Sequence, residues 1–115
     1  MTTIPSSAIS RMGMQAAGKQ QQASAHNVAN LNTDGFESVE TVQESVGEGG
    51  VTTAVRPTGD PSPMILRGQD WVHGSNTDLV RESVNQIAAS GAYRANAAAF
   101  RAADEMTDEL LNIRA

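Results

Sequence analysis

Residues 75–113 read SNTDLVRESVNQIAASGAYRANAAAFRAADEMTDELLNI, and the spacing of the apolar positions in this stretch sets the architecture. Small polar residues open it. Ser75, Asn76, Thr77 and Asp78 can accept the first unpaired amides of a helix, and Asp78 suits the positive end of its dipole. Behind them Val80, Val84, Ile87, Gly91, Ala95, Ala98, Ala102, Met106, Leu110 and Ile113 recur at a mean spacing of about 3.67 residues. That is the eleven-residue period of a nearly straight or slightly right-handed helix, not a strict heptad. At 1.5 Å per residue a helix from Asp78 to Ile113 spans roughly 54 Å. Such a length fits a rod, a tube or a coiled-coil wall better than a round enzyme. From Gly91 to Ala102 the stripe holds only small residues, which lets another helix come close.

Upstream, the chain divides by composition into residues 1–36, 37–74 and 75–115. The first third reads as a second helix, starting after Pro5-Ser6-Ser7 with a serine as N-cap and running to about Asn30. Its apolar stripe, Ile9, Met12, Ala16, Ala23 and Asn27 or Val28, is interrupted by Lys19 and Gln20. Gly13 and Gly18 each lower helix propensity by up to about 1 kcal/mol relative to alanine, so this helix needs a partner. In the middle third, Ser38 to Val46 and Val51 to Arg56 predict a hairpin around Gly47-Glu48-Gly49-Gly50. A proline- and glycine-punctuated loop from Arg56 to Pro63 follows, then a short strand at Met64-Ile65-Leu66. Trp71-Val72 is expected to pack against the last helix. The predicted fold is therefore mainly α: two long terminal helices pairing as a coiled-coil-like antiparallel hairpin, with a small β-hairpin and loop insertion between them.

Composition narrows the function. In 115 residues hydrophobic side chains make up 39%, yet 17 of them are alanine and the aromatics are Phe36, Trp71, Tyr93 and Phe100. Ordering costs about 1–2 kcal/mol per residue and alanine buries little area to offset it, so an isolated monomer is expected to be only partly folded. Burial against other copies or other subunits would fill the gap. The formal net charge is −5, with Lys19 and the arginines scattered, which argues against nucleic acid as a partner. The chain has no cysteine, which excludes disulfides and thiolate metal sites. No apolar run approaches the roughly 20 residues of a membrane span, so no membrane insertion is expected. Residues 1–11 have neither a leading basic cluster nor an apolar core, so no Sec-type signal peptide is expected there.

The most specific stretch is Ser24-Ala25-His26-Asn27-Val28-Ala29-Asn30-Leu31-Asn32-Thr33-Asp34-Gly35-Phe36. Asparagine tolerates the left-handed conformation and its short amide can bond nearby backbone, so Asn30 and Asn32 can end a helix whose last carbonyls lack partners. Gly35 can supply a positive φ at the turn, and Phe36 can anchor the emerging chain.

Here the sequence resembles the flagellar rod and hook axial proteins. Their N-terminal signature is an alanine-rich helix ending in Ala-x-Asn-Ile-Ala-Asn-x-Asn-Thr-x-Gly-Phe/Tyr, matched by Ala25, Asn27, Val28, Ala29, Asn30, Asn32, Thr33, Gly35 and Phe36. Their second signature is matched by Ser75, Asn76, Asp78 and Leu79, by Ala92-Tyr93-Arg94-Ala95-Asn96, by Asp104-Glu105-Met106 and by Leu110-Leu111-Asn112-Ile113. The two signatures cover about residues 6–36 and 75–113. The chain is most similar to the short proximal rod subunit of type C, as a divergent or shortened paralogue in which Asp70-Trp71-Val72 is the remnant of a longer loop. It departs from the family pattern at Gln21, where leucine is usual, Ser83 for methionine, Gln86 for leucine, and Ser90-Gly91 for Gln-Arg.

The resemblance implies a structural subunit of the basal-body rod, the periplasmic drive shaft of motility, polymerising through its terminal helices. Its implied partners are further copies of itself, other rod and axial subunits, and the flagellar type III export apparatus, with no cofactor. The residues implied in subunit packing are the signature positions together with Val80, Val84, Ile87, Met106, Leu110 and Ile113 from the stripe. The alternative is a helical adaptor or export-associated protein that does not polymerise. Catalysis has little support. His26 and His73 have no carboxylate or second histidine at metal-ligand spacing, and the acidic run Asp104, Glu105, Asp108 and Glu109 reads as a solvated face or a salt-bridging rim. Tyr93 reads as a packing residue, and no phosphate loop, dinucleotide fingerprint or nucleophile elbow occurs.

Overall fold

The computed structural model describes residues 5–114, so the reading of residues 1–11 as free of a signal-peptide pattern lies partly outside the described residues. The element order is α1 (Ser6–Ala29), β1 (Val39–Ser45), β2 (Val51–Pro57), β3 (Met64–Arg67), β4 (Asp70–His73) and α2 (Leu79–Arg114). The molecule is mainly helical, with two small antiparallel sheets between the helices.

The two helices begin differently. Asp78 caps α2 as expected, its Oδ1 accepting the amides of Val80 at 3.0 Å and Arg81 at 3.3 Å. The serine cap expected for α1 is not formed. Pro5 occupies the cap position with φ −59° and ψ 147° and makes no side-chain cap bond, while Ser6 and Ser7 already lie inside the helix. Proline's fixed φ suits a helix start, and its carbonyl accepts the amide of Ile9 at 3.1 Å.

α1 is the middle of three layers, with α2 on one side and the β1–β2 hairpin on the other. The expected stripe of α1 faces the hairpin: Ile9 and Met12 lie under the glycine turn, against Gly49 and Gly50. Those two glycines sit at φ 103° and 91°, and strand register runs from Val39 opposite Pro57 to Ser45 opposite Val51. The face of α1 toward α2 is a different one, made of Ser10, Gly13, Ala17, Ser24 and Asn27 at intervals of three, four, seven and three. On α2, Glu82, Ala89, Asn96 and Ala103 answer at intervals of seven, the first two buried and the others half-buried. Late α1 meets early α2, where the Ser24 hydroxyl donates to the Glu82 carbonyl at 3.0 Å. Early α1 meets α2 further along, where Gly13 leaves room for the carboxamide of Asn96.

Among the described residues the buried apolar side chains are all alanine: Ala16, Ala17, Ala23 and Ala89. Small side chains let the layers approach but bury little area each. The result is long and thin, 78 × 26 × 14 Å. Its radius of gyration is 19.8 Å, against about 13 Å for a compact chain of this length.

The β3–β4 hairpin pairs Ile65 with Val72 and Leu66 with Trp71. It makes no packing layer against α2, contrary to the expectation for Trp71-Val72, and Trp71 is 65% exposed. The reason is the attachment of the hairpin to the turn after α1, where the His73 carbonyl accepts the Gly35 amide at 2.8 Å. Arg67 also grips Asp34 through three hydrogen bonds of 2.9 to 3.3 Å.

Candidate functional site

The asparagine signatures meet at one buried node. Asn27, with 0% exposure, closes a pair of hydrogen bonds with the backbone of Val39, donating to its carbonyl at 2.7 Å and accepting its amide at 2.9 Å. The same Nδ2 donates to Glu82 Oε1 at 3.0 Å, and the Asn27 carbonyl accepts the Thr77 hydroxyl at 3.2 Å. Asn76 holds the adjacent residue. Its Oδ1 accepts the Ser38 amide at 2.6 Å, and its Nδ2 donates to the Asp60 carbonyl at 2.9 Å. Two residues about 50 apart in sequence thus clamp the start of the β1–β2 hairpin between α1 and the beginning of α2. Glu82 is 3% exposed, and its Oε2 has no hydrogen-bond partner among the described residues.

The turn after α1 is built partly as expected. Gly35 is at φ 73°, and Phe36 anchors the chain by lying edge-on to His26 with ring centroids 5.3 Å apart. The left-handed expectation for Asn30 and Asn32 is overturned: Asn30 has φ −105°, and no residue other than glycine has a positive φ among the described residues. Asn30 ends the helix by bonding instead, its Nδ2 donating to the His26 carbonyl at 2.9 Å and its Oδ1 accepting the Thr33 hydroxyl at 3.1 Å. Ala29 and Asn32 are exposed. Next in the chain, Arg67 holds the Asp34 carboxyl below the usual carboxylate range, chiefly by hydrogen bonding.

On α2 the positions of the expected stripe are exposed and not buried against α1. Val80 and Ile87 are each 74% exposed, Val84, Met106 and Leu110 are also exposed, and Ile113 is 76% exposed. Ala95 lies between them, exposed as well. Of the remaining expected positions, Asp78 is the cap, Asn96 faces Gly13, and Tyr93 is half exposed. A monomer rarely leaves so long an apolar row in water.

Beside this row a groove of about 990 Å³ runs between α1 and α2, lined by Ala17, Gly18 and Gln21 on one side and by Ser83, Gln86, Ile87, Ser90, Gly91, Tyr93 and Arg94 on the other. Gln21, Ser83, Gln86, Ser90 and Gly91 all line it. Sequence reasoning missed both the groove and the role of Glu82. Glu82 reads as one more charge near a helix start, and only its register with Asn27 and Ser24 distinguishes it.

His26 and His73 lie apart in their roles, one edge-on to Phe36 and the other contributing its carbonyl to Gly35. No group of three metal-ligating side chains occurs among the described residues, and no described helix is long and apolar enough to cross a membrane. What the geometry offers is a polar clamp that sets the helix register, an open groove and an unpartnered apolar row. Residues 69–113, which carry β4 and α2 with that row, match the family model of the flagellar basal body rod FlgEFG protein C-terminal. Over this segment, a little more than a third of its length, the chain is similar to the flagellar rod protein family.

Proposed function

We propose that the protein is a structural subunit of the flagellar basal-body rod that polymerises through its terminal helices and performs no catalysis. The observation that carries this reading is the apolar row of α2, from Val80 to Ile113, exposed on the side of the helix opposite its contact with α1. The pairing of α1 with α2 supports an antiparallel, coiled-coil-like unit, because buried positions on α2 recur every seven residues and late α1 meets early α2. The row outside that seam then packs laterally against neighbours. Contacts of this kind that repeat without closing produce a helical filament.

In this reading the subunit nears the short proximal type C, is exported through the flagellar type III apparatus, and works in the periplasmic rod with other axial subunits. Residues 37–74 form the outward-facing part, with the β1–β2 hairpin tied to the helices by Asn27 and Asn76. Deleting the gene tests the assignment. Loss of rods and motility is the expected result, whereas motile cells with intact basal bodies would support the non-polymerising adaptor instead.

A further inference from the structure

The charges on the helices are unevenly distributed. α1 carries Arg11 and Lys19 and no carboxylate, and α2 from Ser83 to Ala103 carries Arg94 and Arg101 and no carboxylate. The last part of α2 is the reverse, with Asp104, Glu105, Asp108 and Glu109 in quick succession. This end also stands free: every residue from Asp104 to Ile113 is exposed, since α1 pairs with α2 only as far as about Ala103 among the described residues. At 3.6 residues per turn, Met106, Leu110 and Ile113 share one face, and Glu105 and Glu109 line one edge of it. Asp104 and Asp108 fall on the opposite side. The groove between α1 and α2 has the complementary form. Its floor is small, with Ala17, Gly18, Ser90 and Gly91. Arg94 lines it, and Arg101 follows seven residues later on the same face of α2.

We infer that the groove is the seat for the free acidic end of α2 from a second copy of this chain. Met106, Leu110 and Ile113 of that copy lie on the small-residue floor, and Glu105 and Glu109 pair with Arg94 and Arg101. The small floor allows close helix approach, and the opposite charges set the direction of the incoming helix. Because the groove and the tail are different patches, the contact is heterologous and leaves a free groove and a free tail at the two ends, so it propagates. The inference rests on the polymerisation reading above and specifies which surfaces meet.

The absence of native cysteine makes a direct test simple. One tagged full-length chain carries Gly91→Cys, where nothing lies within 4 Å of an added Cβ. An untagged chain carries Leu110→Cys at an exposed position. The two are mixed at high concentration and oxidised, and the same pair is tested in isolated basal bodies. The expected result is a tagged–untagged disulfide dimer. Replacing Arg94 and Arg101 by Glu in the first chain should lower its yield about tenfold, and Glu105→Arg with Glu109→Arg in the second should restore it. Circular dichroism of each variant checks that the helices persist. Assembly without a 91–110 cross-link and indifferent to the charge exchange overturns this contact and leaves the rod reading standing. Cross-links confined to like sites also overturn it, in favour of a symmetric contact. Failure of the unaltered chain to enter any assembly overturns both.

Discussion

Asn27 ties three elements together with one carboxamide: α1, which carries it, the first residue of β1, and Glu82 near the start of α2. Truncation to alanine would strand the Val39 backbone groups and the Glu82 carboxylate in a buried site. Asn27→Ala should therefore cost about 2–3 kcal/mol of unfolding free energy, read by urea denaturation. Asn30→Ala removes only a bond at an exposed helix end and should cost markedly less. The surface grip of Arg67 on Asp34 predicts a pH effect instead. Its folded-state pKa is depressed below the ordinary 3.8 by the Arg67 hydrogen bonds, so the contact's contribution is present above that ordinary value and is lost as pH falls through the depressed one. A carbon-detected titration should find the Asp34 midpoint below the usual range and find it restored in Arg67→Ala. The absence of such a return would show that another group sets the shift.

The two glycines of α1 that lower helix propensity play opposite roles at the element scale. A Cβ on Gly13 would collide with the carboxamide of Asn96, which is itself held by the Ala92 carbonyl at 2.8 Å. Gly13→Ala should destabilise by about 1 kcal/mol, overpacking outweighing the gain in propensity. Gly18 has nothing within 4 Å of an added Cβ, and Gly18→Ala should stabilise by about 0.5–1 kcal/mol in the same thermal unfolding assay. The elements themselves were largely legible. Asp78 as cap, the glycine turn between Val46 and Val51, and the positive φ of Gly35 all follow from local chemistry that tertiary contacts did not override. The helix seam was not legible, because Ser10, Gly13, Ala17 and Ser24 carry no apolar signal and a search for hydrophobic period selects the neighbouring row Ile9, Met12, Ala16 and Ala23. That row belongs to the hairpin contact. Trp71 misled for a related reason: a large aromatic beside a helix suggests packing, but β4 is paired and held by the turn at Gly35.

At the scale of the whole molecule, a polar node and a few alanines hold together an elongated body whose larger apolar side chains point into solvent. The stripe expected from the sequence lies exposed along α2, and nothing in the sequence of one chain reveals that α1 covers the opposite side. Because Val84 and Leu110 are exposed in the monomer, Val84→Lys with Leu110→Lys should leave unfolding free energy within about 0.5 kcal/mol of the parent. The same double variant should abolish rod incorporation and motility, scored by swimming and by electron microscopy of basal bodies. Stability and assembly separate in this way only if the row serves neighbours and not the fold.

A cryo-EM map of isolated basal bodies with this chain placed in it tests that claim most directly. The expected result is a rod in which Val80, Val84, Ile87, Met106, Leu110 and Ile113 are buried against adjacent subunits while Asn27 still meets Glu82 within each one. A rod that lacks the chain, or that holds it with this row facing solvent, would contradict it.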